Sequence, residues 1–345
     1  MAHNEEWNQH GVPNDLQDIP YYKISKKSEV VNDLAINELQ FKLDFEDPRH
    51  MIRRKYIGRM KCMKETKSMI LVGGTGVGKS SLINTLVNKI YGVQFEDDFR
   101  LRVTEKECRR KSSAVSQTEW ITVYQFFHMP GMSIDYNLVI IDTPGLNDTT
   151  GLECDRLVFD RLGHLLKIRK YSIDELNFIG MVTPASATRL TSAQRYIYDG
   201  CMKMFGNDVK DIIHIMATFS DGSPPQIEAV LNAGGVYYTQ VHTIQNSSIY
   251  VSNNASNKIR YNFNQMCFKF LNESMETLLS DLQCSIGKSL TRTVQTLEHR
   301  QILQCKVAIM ETKFLKQLNE VGNLHLQEET NNNQEPTTLF GLQSK

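Results

Sequence analysis

The sequence has no excess of charge of either sign: Lys plus Arg and Asp plus Glu each total 39 among 345 residues. A neutral chain creates no global field for nucleic acid, so nucleic acid is not an expected partner and any anion must be met by a local cluster. No uncharged apolar run reaches the roughly 18 residues of a membrane-crossing helix. Met1 to Pro20 is polar and acidic, where a secretory leader would be basic and then apolar. A cytoplasmic protein is expected. Paired cysteines are missing too: Cys62, Cys108, Cys154, Cys201, Cys267, Cys284 and Cys305 are scattered, none at the short spacing of a zinc or redox pair. They read as reduced thiols. The histidines, His128, His164 and His214 among them, have no spacing that marks a metal site or a nucleophile's base, and read as structural.

Apolar residues make up 41% and charged residues 23%, enough for a sizeable core and the composition of a folded protein. The length favours one main core with appendages. Residues 1–27 are polar, with two prolines and no apolar period, and read as a mobile arm. Over 28–67, Val30, Val31, Leu34, Leu39 and Phe41 suggest a short helical or mixed segment, broken at Asp47-Pro48. From Arg49 to Lys67 eight basic residues face Glu65 alone, which fits a solvated helix face or a contact with anionic lipid headgroups.

Residues 68–255 alternate apolar runs with helical patterns, the mark of an α/β domain with a mostly parallel sheet and helices on both faces. Met69 to Val72 is a buried strand, followed by Leu82, Ile83, Leu86, Val87 and Ile90 at helical spacing. Residues 119–127 and 134–142 read as an antiparallel pair, and strands are expected at 178–182, 212–218 and 241–244. Helices are expected near 154–169, 191–205 and 225–232, with Thr191 and Gln194 forming a capping box. Residues 256–325 form a helical extension, packed back on the domain or paired in a coiled coil, which Gly287 and the polar stretch 298–301 would divide. The last twenty or so residues, 326–345, read as a disordered tail.

Gly73-Gly74-Thr75-Gly76-Val77-Gly78-Lys79-Ser80 has the phosphate-loop pattern, with a strand before it and an amphipathic helix after it. Glycines let the loop curl so that backbone N–H groups face phosphate oxygens, and the helix N-terminus adds its dipole. Gly74, Thr75, Gly76, Val77, Gly78, Lys79, Ser80 and Ser81 are therefore the candidate phosphate contacts. Lys79 would reach the β- and γ-phosphates and Ser80 would ligate Mg²⁺. Leu138 to Gly145 is an apolar strand ending in Asp142-Thr143-Pro144-Gly145: Asp142 would hold the metal, and the N–H of Gly145 would sense a γ-phosphate.

These residues, with Ser81 and Asp148, resemble the septin and GIMAP branch of the GTPases over about residues 69–250. The resemblance implies GTP, GDP and Mg²⁺ as ligands, with Lys79, Gly145 and a metal-shell threonine as catalytic residues. Thr118, chosen over Ser116, would be that threonine. Guanine would be read by Asp221 in Thr218-Phe219-Ser220-Asp221, where Phe219 replaces the usual lysine, and by Ser247 in Asn246-Ser247-Ser248. Asp221 as a mere turn residue is the alternative. Leu146 stands where Ras-like enzymes place the water-orienting glutamine, which implies slow turnover. A nucleotide-controlled switch or assembly module is expected, self-associating through the G domain or the C-terminal helices. A GTP-locked scaffold and an adenine-nucleotide P-loop protein are the competing readings.

Overall fold

The computed structural model describes residues 24–60, 63–103, 120–146, 152–168, 173–254 and 257–332. Two hairpins open it. β1 (Ser25–Val31) pairs antiparallel with β2 (Leu34–Leu39) across Asn32-Asp33, both at positive φ, the two-residue turn that matches strand twist. β3 (Lys42–Asp47) and β4 (Ile52–Ile57) pair across the next turn. Residues 25–57 are thus strands, correcting the helical reading of the 28–67 segment. Leu34 and Ile36 are buried while Ala35 and Asn37 are only half-buried, the period of two that strands need and helices cannot use.

The described basic residues of that segment do not form a helix face either. Arg53 donates to Thr122 Oγ1 at 3.0 Å and lies over the Trp120 ring at 5.7 Å. Arg54 meets Asp44 at 3.5 Å and Gln125 Oε1. Lys64 pairs with Asp135, and the buried Lys67 donates to Ser285 O at 2.8 Å.

The chain goes on to β5 (Thr66–Gly73), followed by α1 (Lys79–Ile90), β6 (Phe99–Arg102), β7 (Ile121–Phe126), β8 (Asn137–Asp142) and α2 (Leu152–Lys167). It continues through β9 (Glu175–Leu176), β10 (Phe178–Pro184), α3 (Ser192–Phe205), β11 (Ile213–Thr218), α4 (Gln226–Ala233) and β12 (Gln240–Ile244). Last come α5 (Lys258–Cys284), β13 (Lys288–Ser289) and α6 (Thr291–Asn332). The eight-stranded sheet runs β12-β11-β10-β5-β8-β7-β4-β3, parallel from β12 to β8, with β7 reversed. β7 and β8 are the expected antiparallel pair, β10 to β12 fall on the expected strands, and the Thr191–Gln194 capping box opens α3. β4 adds parallel to β7, so the N-terminal hairpin covers an edge of the sheet that would otherwise expose its backbone groups.

β5 is buried from Lys67 to Gly73, as a central parallel strand covered on both faces must be. Leu82, Ile83, Leu86, Val87 and Ile90 of α1 are all 0% exposed, each contributing on the order of 1.5–3 kcal/mol of burial. Phe268, Leu271, Met275, Leu278 and Leu282 of α5 enter the same core. The helical extension expected from residue 256 is therefore two things. α5 packs into the main unit, which ends at Thr293, and Val294 opens a second compact unit. The break expected at Gly287 is present. The one expected at 298–301 is not, because Glu298, His299, Arg300 and Gln301 offer no Gly or Pro to stop a helix. α6 carries on through 326–332, so that part of the expected tail is helical, and 333–345 lies outside the described residues. The expected arm lies outside them as far as residue 23, while Ser25 to Lys27 already belong to β1. Among the described residues no helix is long and apolar enough to cross a membrane.

Candidate functional site

β5 delivers the chain to Gly73 at the carboxyl end of the central strand. A Cβ there would meet Val182 O of β10 at 2.5 Å, so the loop leaves the sheet pressed against its neighbour. Gly76 and Gly78 take φ of 75° and 94°, the left-handed region in which glycine is unstrained. Lys79, the first residue of α1, is 8% exposed and donates from Nζ to Gly73 O at 2.9 Å and Gly74 O at 2.8 Å. Burial lowers its pKa to about 8, and the nearby Asp142 carboxylate opposes that shift. A desolvated ammonium at a helix N-terminus is a seat for an anion, which would return the charge balance that burial removes. The Thr75 hydroxyl oxygen beside it is buried with no hydrogen-bond partner among the described residues. A loop of this kind fits nucleotide phosphates.

Asp142 ends β8 at 1% exposure, and the next residue is locked by Thr143 Oγ1 donating to Leu71 O at 2.8 Å. With Ser80 in the first turn of α1, it supplies the oxygen donors that Mg²⁺ prefers. The following segment lies against the loop. Leu146 N donates to Gly73 O at 3.1 Å, Thr75 N donates to Leu146 O at 3.0 Å, and a Cβ on Gly145 would sit 2.4 Å from Thr75 Oγ1. Thr118, Ser116 and Asp148 fall outside the described residues.

The base side is tied to the same loop. Thr218, 0% exposed at the end of β11, donates from Oγ1 to Val77 O at 2.6 Å. Phe219 follows at φ 54°, a conformation that costs a bulky residue on the order of 1–3 kcal/mol. Its N–H is held by Asn246 Oδ1 at 3.2 Å, and Asn246 Nδ2 donates to Gly78 O at 3.2 Å. The Phe219 ring lies beside Gly78, 3.2 Å from where a Cβ would stand, and stays 44% exposed, an aromatic surface on which a planar ligand could stack. Asp221 is exposed, and hydrogen bonds from Ser223 hold its carboxyl below the usual range. It is an ionised acceptor at neutral pH. Ser247 is exposed directly after the buried Asn246. The structure thus brings Gly74 to Ser80, Asp142, Gly145, Thr218, Phe219 and Asn246 into one neighbourhood. The side-chain ties of Thr218 and Asn246 escaped the sequence reading. Their only signal is a polar residue at, or two places beyond, the end of an apolar strand.

A phosphate cradle after one parallel strand, with a metal-binding aspartate ending the adjacent strand and a reversed strand next to that, is the arrangement of a P-loop GTPase G domain. The chain has the P-loop GTPase G-domain fold, which supports guanine-nucleotide binding. Residues 68–199 match the family model described as 50S ribosome-binding GTPase. Among solved structures, the chain is similar to a dimerization-deficient mutant of Toc33 from Arabidopsis thaliana, at 15% identity and TM-score 0.37, over 64% of this chain and 87% of that one. It is similar to Era in complex with MgGDPNP and part of 16S ribosomal RNA, at 15% identity and TM-score 0.32, over 63% and 57%. The FeoB G-domain from Methanococcus jannaschii gives 15% identity and TM-score 0.28, over 61% and 99%. No curated protein matches the sequence.

Proposed function

We propose that this protein is a slow, Mg²⁺-dependent GTPase of the septin and GIMAP-like kind, acting as a nucleotide-controlled switch for self-association. One observation carries the reading: Leu146 is 0% exposed, and both its backbone groups are hydrogen-bonded to the phosphate loop. An alkyl side chain in the water-orienting position cannot align a nucleophile, which supports slow intrinsic turnover. Its backbone also occupies the Thr75 N–H, one of the loop N–H groups expected to face phosphate oxygens. Binding GTP and keeping the segment after Gly145 docked are then in competition, and that competition is the switch. Lys79 would hold the phosphate oxygens. Ser80, Asp142 and Thr118 would hold Mg²⁺, which supplies neutralisation of the phosphate charge.

The test is single-turnover phosphate release with Mg²⁺, at low and high protein concentration, beside Lys79→Ala. Release above the variant's background, rising with protein concentration, is expected. Release equal to the variant's, with GTP still bound, removes the enzyme reading and leaves a GTP-locked assembly module. A preference for ATP in competition would sink the guanine assignment.

A further inference from the structure

Away from the nucleotide site, two groups of the β3–β4 turn meet a third from α2, more than a hundred residues further along the chain. Asp47 ends β3, His50 sits in the turn to β4, and His164 lies in the last turn of α2. His50 Nδ1 is 2.7 Å from Asp47 Oδ2, and His164 Nε2 is 3.5 Å from the same oxygen. The two imidazoles stack at 3.7 Å between centroids. Each residue can place one ligand atom within 4.8 Å of the others, the one such cluster among the described residues.

We propose that Asp47, His50 and His164 form a binding site for a divalent transition ion of the zinc class, separate from the Mg²⁺ of the nucleotide site. Two imidazoles and a carboxylate are the donor set that zinc-class ions take, whereas Mg²⁺ asks for oxygens in a near-ideal octahedron. With bonds of about 2.0–2.2 Å, two donors on a tetrahedral ion stand roughly 3.4 Å apart, close to the Asp47 to His164 separation. The shorter Asp47 to His50 contact is a hydrogen bond. The ion would take the place of its proton, which leaves to solvent. Closing on an ion also requires the stacked rings to tilt so that their lone pairs converge.

The carboxylate is already oriented, since Asp47 Oδ1 accepts the N–H groups of Arg49 at 3.1 Å and His50 at 3.2 Å and leaves Oδ2 for the ion. The side chains are 33%, 21% and 38% exposed for His50, Asp47 and His164, so the site has an entry path and a fourth position open to water. α2 is the helix that follows the Gly145 loop. An ion here would pin its far end to the β3–β4 turn.

The test uses the full chain saturated with MgGDP, stripped of transition metals and titrated with Co²⁺. Saturation at one equivalent, with the intense visible bands of a low-coordinate cobalt ion, is expected, followed by displacement with Zn²⁺. His50→Gln and His164→Gln should each weaken binding by more than the roughly 10- to 100-fold that loss of an outer-shell partner costs, with GDP binding retained. His164→Cys should restore it with a new thiolate-to-cobalt band. Unchanged bands in the double glutamine variant would assign the ion to thiols such as the exposed Cys284 and Cys305 and overturn the proposal, as would the absence of bands in the wild type. If a glutamine variant loses GDP binding, imidazole ¹⁵N shifts of the folded wild type decide. Zn²⁺ must move two histidine rings, and movement of none overturns the site.

Discussion

Asn246 reaches from the end of β12 to Gly78, donating from Nδ2 to the glycine carbonyl at 3.2 Å while its Oδ1 takes the Phe219 N–H. One side chain therefore fixes the base loop against the phosphate loop. Asn246→Ala removes two part-buried hydrogen bonds, worth about 0.5–1.5 kcal/mol each, and leaves the Phe219 N–H and the Gly78 carbonyl without this partner. GTP affinity should fall roughly 10- to 100-fold, as read by equilibrium binding of a labelled nucleotide. An unchanged affinity would mean that the two loops hold their places without this tie.

Asp221 makes a sharper prediction about selectivity. Hydrogen bonds to a charged group contribute about 1.5–3 kcal/mol, so Asp221→Ala should cost GTP roughly 10- to 100-fold while ATP, which lacks the matching donors, is barely affected. Lys79→Ala should weaken both alike. If Asp221→Ala leaves the GTP to ATP ratio where it was, Asp221 is only the turn residue that its bond from Ser223 allows.

The parts legible in the sequence were those whose chemistry is contiguous. Gly73 to Ser80 and Asp142 to Gly145 each carry their own strand context, and the burial of β5, α1 and β8 follows from unbroken apolar runs. The N-terminal hairpins were not legible. Leu34 and Ile36 alternate over too short a span, and Arg53 and Arg54 look like a free cationic run until β7 is set beside them, bringing Thr122 and Gln125 within reach. The same limit hid the histidines. His164 has no neighbour in sequence that marks a metal, and only the packing of α2 against the β3–β4 turn sets it beside His50.

A second histidine pair links acid to unfolding. His214 and His242 are buried on adjacent strands, with Nδ1 and Nε2 3.0 Å apart. Phe178 stacks on His214, and Asp281 of α5 lies 3.9 Å from His242 Nδ1. Burial pushes His214 down to about 3, reinforced by His242, and pushes His242 down to about 4 against the pull of Asp281. Above pH 6.5 or so both are neutral, folded or unfolded. As pH falls from there to about 4, the unfolded chain takes up protons that the folded one refuses, at up to ~1.4 kcal/mol per pH unit for each ring. Melting temperature should drop over that window, and less steeply in His242→Gln. Parallel curves for the two proteins would remove the pair as the cause.

α6 offers the last prediction, because its apolar residues are spaced for a partner. Leu303, Val307, Met310, Phe314 and Val321 fall at steps of four, three, four and seven, and all are more than half exposed. That is the a/d spacing that a coiled-coil seam would use, with Gln317 at the one polar position within it. A stripe left in water forgoes about 1.5–3 kcal/mol for each side chain that could be buried, and a second copy of the same helix is the partner whose spacing matches. Sedimentation velocity of the wild type should show a concentration-dependent dimer or higher assembly, and Met310→Glu with Phe314→Glu should return it to monomer while GTP binding persists. A wild type that stays monomeric at high concentration, with GTP analogue as well as GDP, would show that α6 does not assemble the protein and that any output of the switch lies on the G domain itself.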